Sequence, residues 1–343
     1  MPSIRGITNL LKIISYPAVL FLIATLVVSG CSTAVKGPTN RAAPHLQPVP
    51  SHLSPEARAF LKRTRKDINE NYVEMMGAIH RRAAPDFRTI EVQVRGVKCF
   101  WVTSLKAVRE DVVVVYFHGG SYMYGSGEDA AAVLLPVYEE LGVRGLSVDY
   151  RLAPQHPFPA AVNDAVAVYR ALLSQGYAPG KIAFTGDSAG GGLALAAALS
   201  LRDAGDPLPA AIAVIGPWVD LAATGDSIIT LKDWDAWLDL EDDKVTVPAY
   251  AGDHDLRNPL ISPLYGDFTG VPPLLVQTGT RELDLSECVL LAQKARRQGV
   301  DVTLDVWDGM WHVWHMMWPD IPESRQACHD IAVFLKKHLD FSE

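Results

Sequence analysis

The sequence predicts an α/β fold: a mostly parallel central sheet with helices on both faces and a small helical cap. Three observations point there. From about residue 112 onward, short apolar runs rich in β-branched residues alternate with stretches of helical spacing. The chain has 343 residues, 49% of them hydrophobic, enough to bury one large core rather than two equal ones. A Gly-x-Ser-x-Gly stretch, Gly186-Asp187-Ser188-Ala189-Gly190, lies between one such apolar run and one such helix. There is no internal repeat and no basic excess, and nothing suggests nucleic-acid binding.

Residues 1–30 read as a leader apart from that fold. Arg5 and Lys12 make its start basic, Ile13 to Val28 is mostly apolar, and Ser29-Gly30-Cys31 puts small residues directly before a cysteine. The pattern resembles a bacterial lipoprotein signal, cleaved so that Cys31 carries lipid. The alternative is a plain membrane anchor, which the apolar length barely allows. The expected location is therefore the bacterial cell envelope, lipid-anchored to the membrane and facing the periplasm or the exterior. Losing residues 1–30 removes two positive charges and no negative ones, taking the formal charge from −8 to −10. That charge favours solubility and says little about substrate. Cys99, Cys288 and Cys328 then allow at most one internal disulfide, and their spacing names no pair and no metal site.

Residues 31–53 are rich in Pro, Ser, Thr and Ala and read as an extended tether. Residues 54–343 form the expected folded domain. Ser54-Pro55-Glu56-Ala57 opens a helix, with Ser54 as N-cap and Pro55 in its first turn, running through Phe60 and Leu61 toward Ile68. Val97 to Thr103 reads as a strand, and Thr89 to Val94 as its less clearly marked partner. Val112 to Phe117 is apolar enough for a central parallel strand, and it delivers His118-Gly119-Gly120-Ser121. Asp129 to Leu141 has helical spacing, and Gly145 to Asp149 is the next strand. Ala160 to Leu173 is helical, Lys181 to Thr185 is a buried strand, and an Ala- and Leu-rich helix follows Gly190. Strands at 211–215, 273–277 and 302–306, with helices at 285–298 and 324–339, complete the alternation. Only Ala222 to Asn258 breaks it, with Trp234, Trp237, Leu238 and Leu240 among many acids. So long a stretch without strands is uncommon in a compact domain unless functional. Residues 222–258, with about 54–80, are expected to form the cap.

The strand–serine–helix arrangement is the nucleophile elbow of an α/β-hydrolase fold. A tight turn between small residues lifts the Ser188 hydroxyl above the sheet edge, over a helix N-terminus that favours developing negative charge. Acyl transfer also needs a base, an orienting acid and donors for the oxyanion. In this fold the chain order is serine, acid, histidine. His312 follows the strand at 302–306 and is the expected base, with His315 the rival three residues on. The two histidines would also suit a metal pair, but no third ligand is evident. Glu282 and Asp284 both follow the strand at 273–277, and either can accept the imidazole N–H; the residues alone do not separate them. Backbone N–H groups of Gly119, Gly120 and Ala189 are the expected oxyanion donors.

Together these motifs resemble the hormone-sensitive-lipase-like α/β-hydrolases of the bacterial acetyl-esterase type. The likeness rests on His118-Gly119-Gly120, Tyr150-Arg151-Leu152-Ala153-Pro154 and Gly186-Asp187-Ser188-Ala189-Gly190 in that order, and spans about residues 54–340. The family often carries its acid in Asp-Pro-Leu. Glu282-Leu283-Asp284 takes that place here, thirty residues before His312, and the resemblance therefore implies Glu282 as the acid, with Asp284 in reserve. Ser121 replaces a third glycine, and Gln155 stands where Glu is common.

The expected function is serine-dependent hydrolysis of short-to-medium acyl carboxylic esters through an acyl-enzyme, with no cofactor and no metal. The partner is a small-molecule ester, and a homodimer stays open. A catalytically silent binding protein on the same fold, or an amidase with the same triad, are the alternatives.

Overall fold

The computed structural model describes residues 48–63, 87–106, 108–130 and 132–342. The leader, Cys31, most of the tether and residues 64–86 lie outside them; the first helix, expected to run toward Ile68, ends at Phe60. Among the described residues no helix is long and apolar enough to cross a membrane.

Eight strands build one sheet: β1 (Phe87–Val94), β2 (Val97–Ser104), β3 (Arg109–Phe117), β4 (Val143–Asp149), β5 (Ile182–Asp187), β6 (Ala211–Ile215), β7 (Leu274–Gly279) and β8 (Val302–Trp307). Their spatial order is β1-β2-β4-β3-β5-β6-β7-β8. The β1–β2 hairpin and the β2–β4 pair are antiparallel, and every pair from β4 to β8 is parallel. Crossover helices explain the parallel part, because a parallel connection must travel back across a face. Strands β5, β6 and β7 are buried at every residue, as expected where helices cover both faces.

The helices are α1 (Pro55–Phe60), α2 (Leu135–Leu141), α3 (Ala160–Ser174), α4 (Ala189–Asp203), α5 (Leu240–Ala251), α6 (Leu285–Arg297) and α7 (Pro322–His338). The apolar faces of α3, α4 and α6 form one core layer with one side of the sheet. Those of α1, α2 and α7 form the other. Ser54 caps α1 by accepting the Ala57 amide at 3.1 Å, as its position before Pro55 predicts. Phe60 of α1 then stacks on Trp311, with ring centroids 4.2 Å apart, an aromatic contact worth about 1 kcal/mol. It braces the loop next to His312.

The expectation of one helix over Asp129 to Leu141 is not met. One helical turn spans Gly127–Ala130, and α2 starts only at Leu135. Pro136 has no N–H and crowds the residue before it, so it belongs in a first helical turn rather than an interior. Cys99, Cys288 and Cys328 are all free and buried.

Candidate active site

The carboxyl end of β5 presents Ser188 in a left-handed backbone conformation, φ +52° and ψ −124°. Such a conformation costs about 1–3 kcal/mol and persists only when the surroundings hold it. Here the Ser188 amide donates to Ile215 O at 2.9 Å, and its carbonyl accepts from Trp218 N at 2.9 Å and Gly192 N at 3.1 Å. Strand β6 and the loop that follows it thus grip both sides of the turn. A side chain at Gly190 would strike the Phe117 and His118 carbonyl oxygens, so the elbow closes against β3 only with glycine there.

The loops after β7 and β8 bring Glu282 and His312 together. Glu282 Oε2 lies 3.0 Å from His312 Nδ1, and Oε1 accepts the Gly279 amide at 2.6 Å. Both oxygens are engaged and the carboxylate is fully buried. Asp284 Oδ2 is farther from Nδ1, at 3.7 Å. The geometry therefore separates the two acids that the residues alone left even. Burial would lower the His312 pKa, but the Glu282 hydrogen bond and the charges of Glu282, Asp284 and Asp235 outweigh it and push it up to about 9. Burial raises the Glu282 pKa, against the opposing pull of His312. Burial and the neighbouring charge of Glu287 hold Asp284 well above the usual carboxylate range. Gly216, at φ +45°, leaves room for this pair: a Cβ there would press on Glu282 Oε2 and come within 3.1 Å of His312 Nδ1.

His315 turns elsewhere. Its Nε2 pairs with Gln277 Oε1 at 2.8 Å, and burial with the nearby His312 pushes its pKa down to about 3. Among the described residues it shares no partner with His312, and its ring meets Gln277 where His312 meets a carboxylate.

The loop after β3 departs from expectation at Gly119. Its amide donates to Asp187 Oδ1 at 3.0 Å, an oxygen that also accepts Tyr116 OH at 2.5 Å. An amide committed to a buried carboxylate does not serve a passing oxyanion. Among the described residues, the amides of Gly120 and Ser121 carry no such bond, and Ser121 lines the cavity. Ala189 opens α4, where a helix leaves its N–H groups unused. His118 braces this loop: its Nδ1 lies 2.7 Å from Gly119 O, its ring stacks on Tyr150, and Tyr150 OH donates to His118 O at 2.7 Å. Arg151 is tied to Asp164 through its guanidinium, with a contact of 2.7 Å, so the Tyr-Arg-Leu-Ala-Pro stretch is scaffolding.

A cavity of about 50 Å³ opens beside Ser188 and Ser121. Its other walls are Trp218 after β6, Leu283 and Asp284 after β7, and Ile228, Leu238, Asp239, Leu240, Asp242 and Asp243 from the 222–258 segment. That segment contains a helical turn at Ser227–Thr230 and α5. Asp235 joins it to the acid loop: Oδ1 accepts from Trp237 N at 2.8 Å and Leu238 N at 3.0 Å, while Oδ2 accepts from Leu283 N at 2.9 Å. Glu287 does similar work for the Trp218 loop, accepting Val219 N at 2.5 Å and Asp220 N at 3.2 Å. The sequence reading missed Asp187, Asp235 and Glu287 as site-building residues. Asp187 carried a signal, since it lies inside the serine motif; Asp235 was one acid among many.

Comparison with known proteins shows the family to which the chain belongs. Residues 114–316 match the α/β-hydrolase fold family. An acetyl-hydrolase of Streptomyces hygroscopicus is 45% identical over 223 residues, covering 65% of this chain and 75% of that protein. An esterase of Acinetobacter venetianus is 35% identical over 224 residues, covering 65% of this chain and 74% of that one. The crystal structure of an esterase from the bacterial hormone-sensitive lipase family superposes with a TM-score of 0.77 at 40% identity, over 84% of this chain and 99% of that one. The chain belongs to the α/β-hydrolase family, among its hormone-sensitive-lipase-like members, and is a hydrolase of the carboxylesterase and lipase type.

Proposed function

We propose that the protein hydrolyses short-to-medium acyl carboxylic esters through a serine acyl-enzyme. The observation that carries this is the buried Glu282–His312 hydrogen bond at 3.0 Å, set behind a cavity that exposes Ser188 on its strained turn. Ser188 Oγ attacks the ester carbonyl and gives its proton to His312 Nε2, while Glu282 holds the Nδ1 proton and stabilises the imidazolium. The N–H groups of Gly120, Ser121 and Ala189 receive the oxyanion. The bond to the alkoxy oxygen then breaks, and the alcohol leaves with the histidine's proton. Water repeats the sequence on the acyl-enzyme, returning the acid and free Ser188. Residues 222–258 act as a cap in this reading, and the small cavity favours the short end of the acyl range. The acetyl-hydrolase relative's name points the same way.

A fluorophosphonate probe, located by peptide mass spectrometry, and nitrophenyl esters of graded chain length test the proposal together. Labelling at Ser188, lost in Ser188→Ala along with turnover, is the expected result. A folded protein that neither labels nor turns over esters is a binding protein, and faster cleavage of a matched amide makes it an amidase.

We further propose that the mature chain begins at a lipidated Cys31 and is held on the envelope membrane. The support is the basic, apolar, small-residue order of residues 5–31. Cys31→Ser should move the protein from the membrane to the soluble fraction; unchanged fractionation refutes the anchor.

A further inference from the structure

Residues 48–60 have no part in the hydrolysis set out above, yet they lie against the two loops that supply its acid and base. Arg281, the residue before Glu282, is buried, and its Nη1 donates to Pro48 O at 3.0 Å. Farther along the segment, Pro50 and Leu53 cover Gly309: a Cβ there would come 3.0 Å from Pro50 Cγ and 2.9 Å from Leu53 Cδ1. His52 Nε2 lies 3.3 Å from Asp308 Oδ2. Phe60 then stacks on Trp311, the neighbour of the base.

These contacts close a ring around the proton relay. From Glu282 the path steps back to Arg281, crosses a hydrogen bond to Pro48 and follows the segment to Phe60. It then crosses the stacked rings to Trp311 and reaches His312, which meets Glu282 again at 3.0 Å. Two cross-ties join the loops themselves: Arg281 N donates to Met310 O at 3.1 Å, and Thr280 Oγ1 donates to Asp308 Oδ1 at 3.0 Å. Pro48 and Pro50 have fixed φ, so the segment spans the loops as a stiff element. Neither loop can draw back without breaking a contact elsewhere in the ring, and relay groups need such support to keep their geometry. We propose that residues 48–60 are a strap that sets the spacing of Glu282 and His312, with Arg281 as the positioning residue that fastens it. This rests on the ester-hydrolase reading and names what holds its acid to its base.

The test is Arg281→Met in the full-length protein, with Arg281→Lys as the conservative variant, since lysine keeps a donor for Pro48 O. With nitrophenyl acetate, Arg281→Met should lose kcat on the order of tenfold while KM holds, because a misplacement of about 1 Å can cost 10²-fold. Arg281→Lys should recover most of that loss. The rise of kcat/KM with pH should move to lower pH in Arg281→Met, because a looser Glu282 contact leaves burial to lower the imidazole pKa. Loss of the guanidinium charge alone moves it to higher pH. The carboxylates facing His312, namely Glu282, Asp284, Asp235 and Asp187, are the same in every variant, and so is His315. The downfield proton NMR signal of the His312 Nδ1–H reads the same contact without turnover, and it should move upfield in Arg281→Met. A lowered urea midpoint with kcat, pH profile and proton signal unchanged makes Arg281 a stabilising residue only and overturns the inference. A shift to higher pH overturns it as well. Phe60→Leu opens the ring at its other end, should move the same readouts the same way, and decides the matter where Arg281→Met does not fold. A wild type that turns over no ester defeats the hydrolase reading, and the proton signal then decides the strap by itself.

Discussion

Amidating Glu282 should lower kcat on the order of 10²–10³-fold, while Asp284→Asn should change it less than about threefold. The first figure follows from what Glu282 touches. A hydrogen bond to a charged group contributes about 1.5–3 kcal/mol, or one to two decades of rate at about 1.4 kcal/mol per decade. The Glu282–His312 contact is also buried, so it stabilises the imidazolium in a medium that screens little. In serine proteases the equivalent amidation costs about 10⁴ in kcat. The loss is smaller here because Asp284 Oδ2 is 3.7 Å from Nδ1. Removing Glu282 takes away one of the charges that raise the Asp284 pKa, so Asp284 ionises more readily and partly substitutes. In the wild type Asp284 Oδ2 stands beyond hydrogen-bond reach of Nδ1, at 3.7 Å, and asparagine changes little. The assay is steady-state hydrolysis of nitrophenyl acetate by both single variants and the double, since neighbouring groups are not additive. The loss should appear in kcat more than in KM, because the contact matters most in the transition state. A crippled Asp284→Asn beside a nearly normal Glu282→Gln reverses the assignment. If neither variant is impaired, the acid lies outside this loop.

Other outcomes follow from the same geometry. His312 has a pKa raised to about 9 against an ordinary value near 6.5. The folded state therefore holds a proton that the unfolded state releases, and this contribution to stability, full below pH about 6.5, fades as pH rises through about 9. Denaturant midpoints of wild type and His312→Gln across that window should show the steeper decline in the wild type; parallel curves contradict the shift. For activity, kcat/KM should rise with pH toward about 9, and Glu282→Gln should move that rise to lower pH, because burial alone lowers the imidazole pKa. Gly190→Ala should destabilise the fold on the order of 3 kcal/mol, read from urea unfolding, since its methyl meets the Phe117 and His118 carbonyl oxygens. Asp187→Ala, which frees the Gly119 amide and Tyr116 OH, should lower kcat while KM holds; unchanged kcat would show that the loop after β3 needs no such tie.

Much of this was legible in the chain because its signals are local. The strand–serine–helix order, the β-branched run of β3 and the Ser54-Pro55 cap are set by neighbours in sequence, and each appears where expected. Chain order also placed His312 on the loop after β8. What could not be read depends on contacts between distant segments. The choice between Glu282 and Asp284 turns on a difference between 3.0 and 3.7 Å, and two acids at one loop carry no such information in their letters. Gly119 was misread because its amide meets a carboxylate 68 residues away. The helix expected over Asp129 to Leu141 failed for a local reason that spacing alone overlooks: Pro136 fits a first turn and not an interior.

Asp235 and Ser227 join two parts of the molecule that otherwise change independently. The cavity wall built by residues 227–243 and the loop carrying Glu282 meet at the buried Asp235 carboxylate, which receives amides from both sides, and at the Ser227 hydroxyl, which donates to Leu283 O. Residues such as Ile228, Leu238 and Leu240 are free to vary in size and shape, altering which esters enter, without moving the Glu282–His312 pair. At Asp235 the same freedom ends, because a change there loosens substrate wall and proton relay together. A redesign of specificity on this scaffold thus has a natural boundary: the wall is exchangeable as a cassette provided that its new sequence returns an aspartate at 235 and a serine at 227.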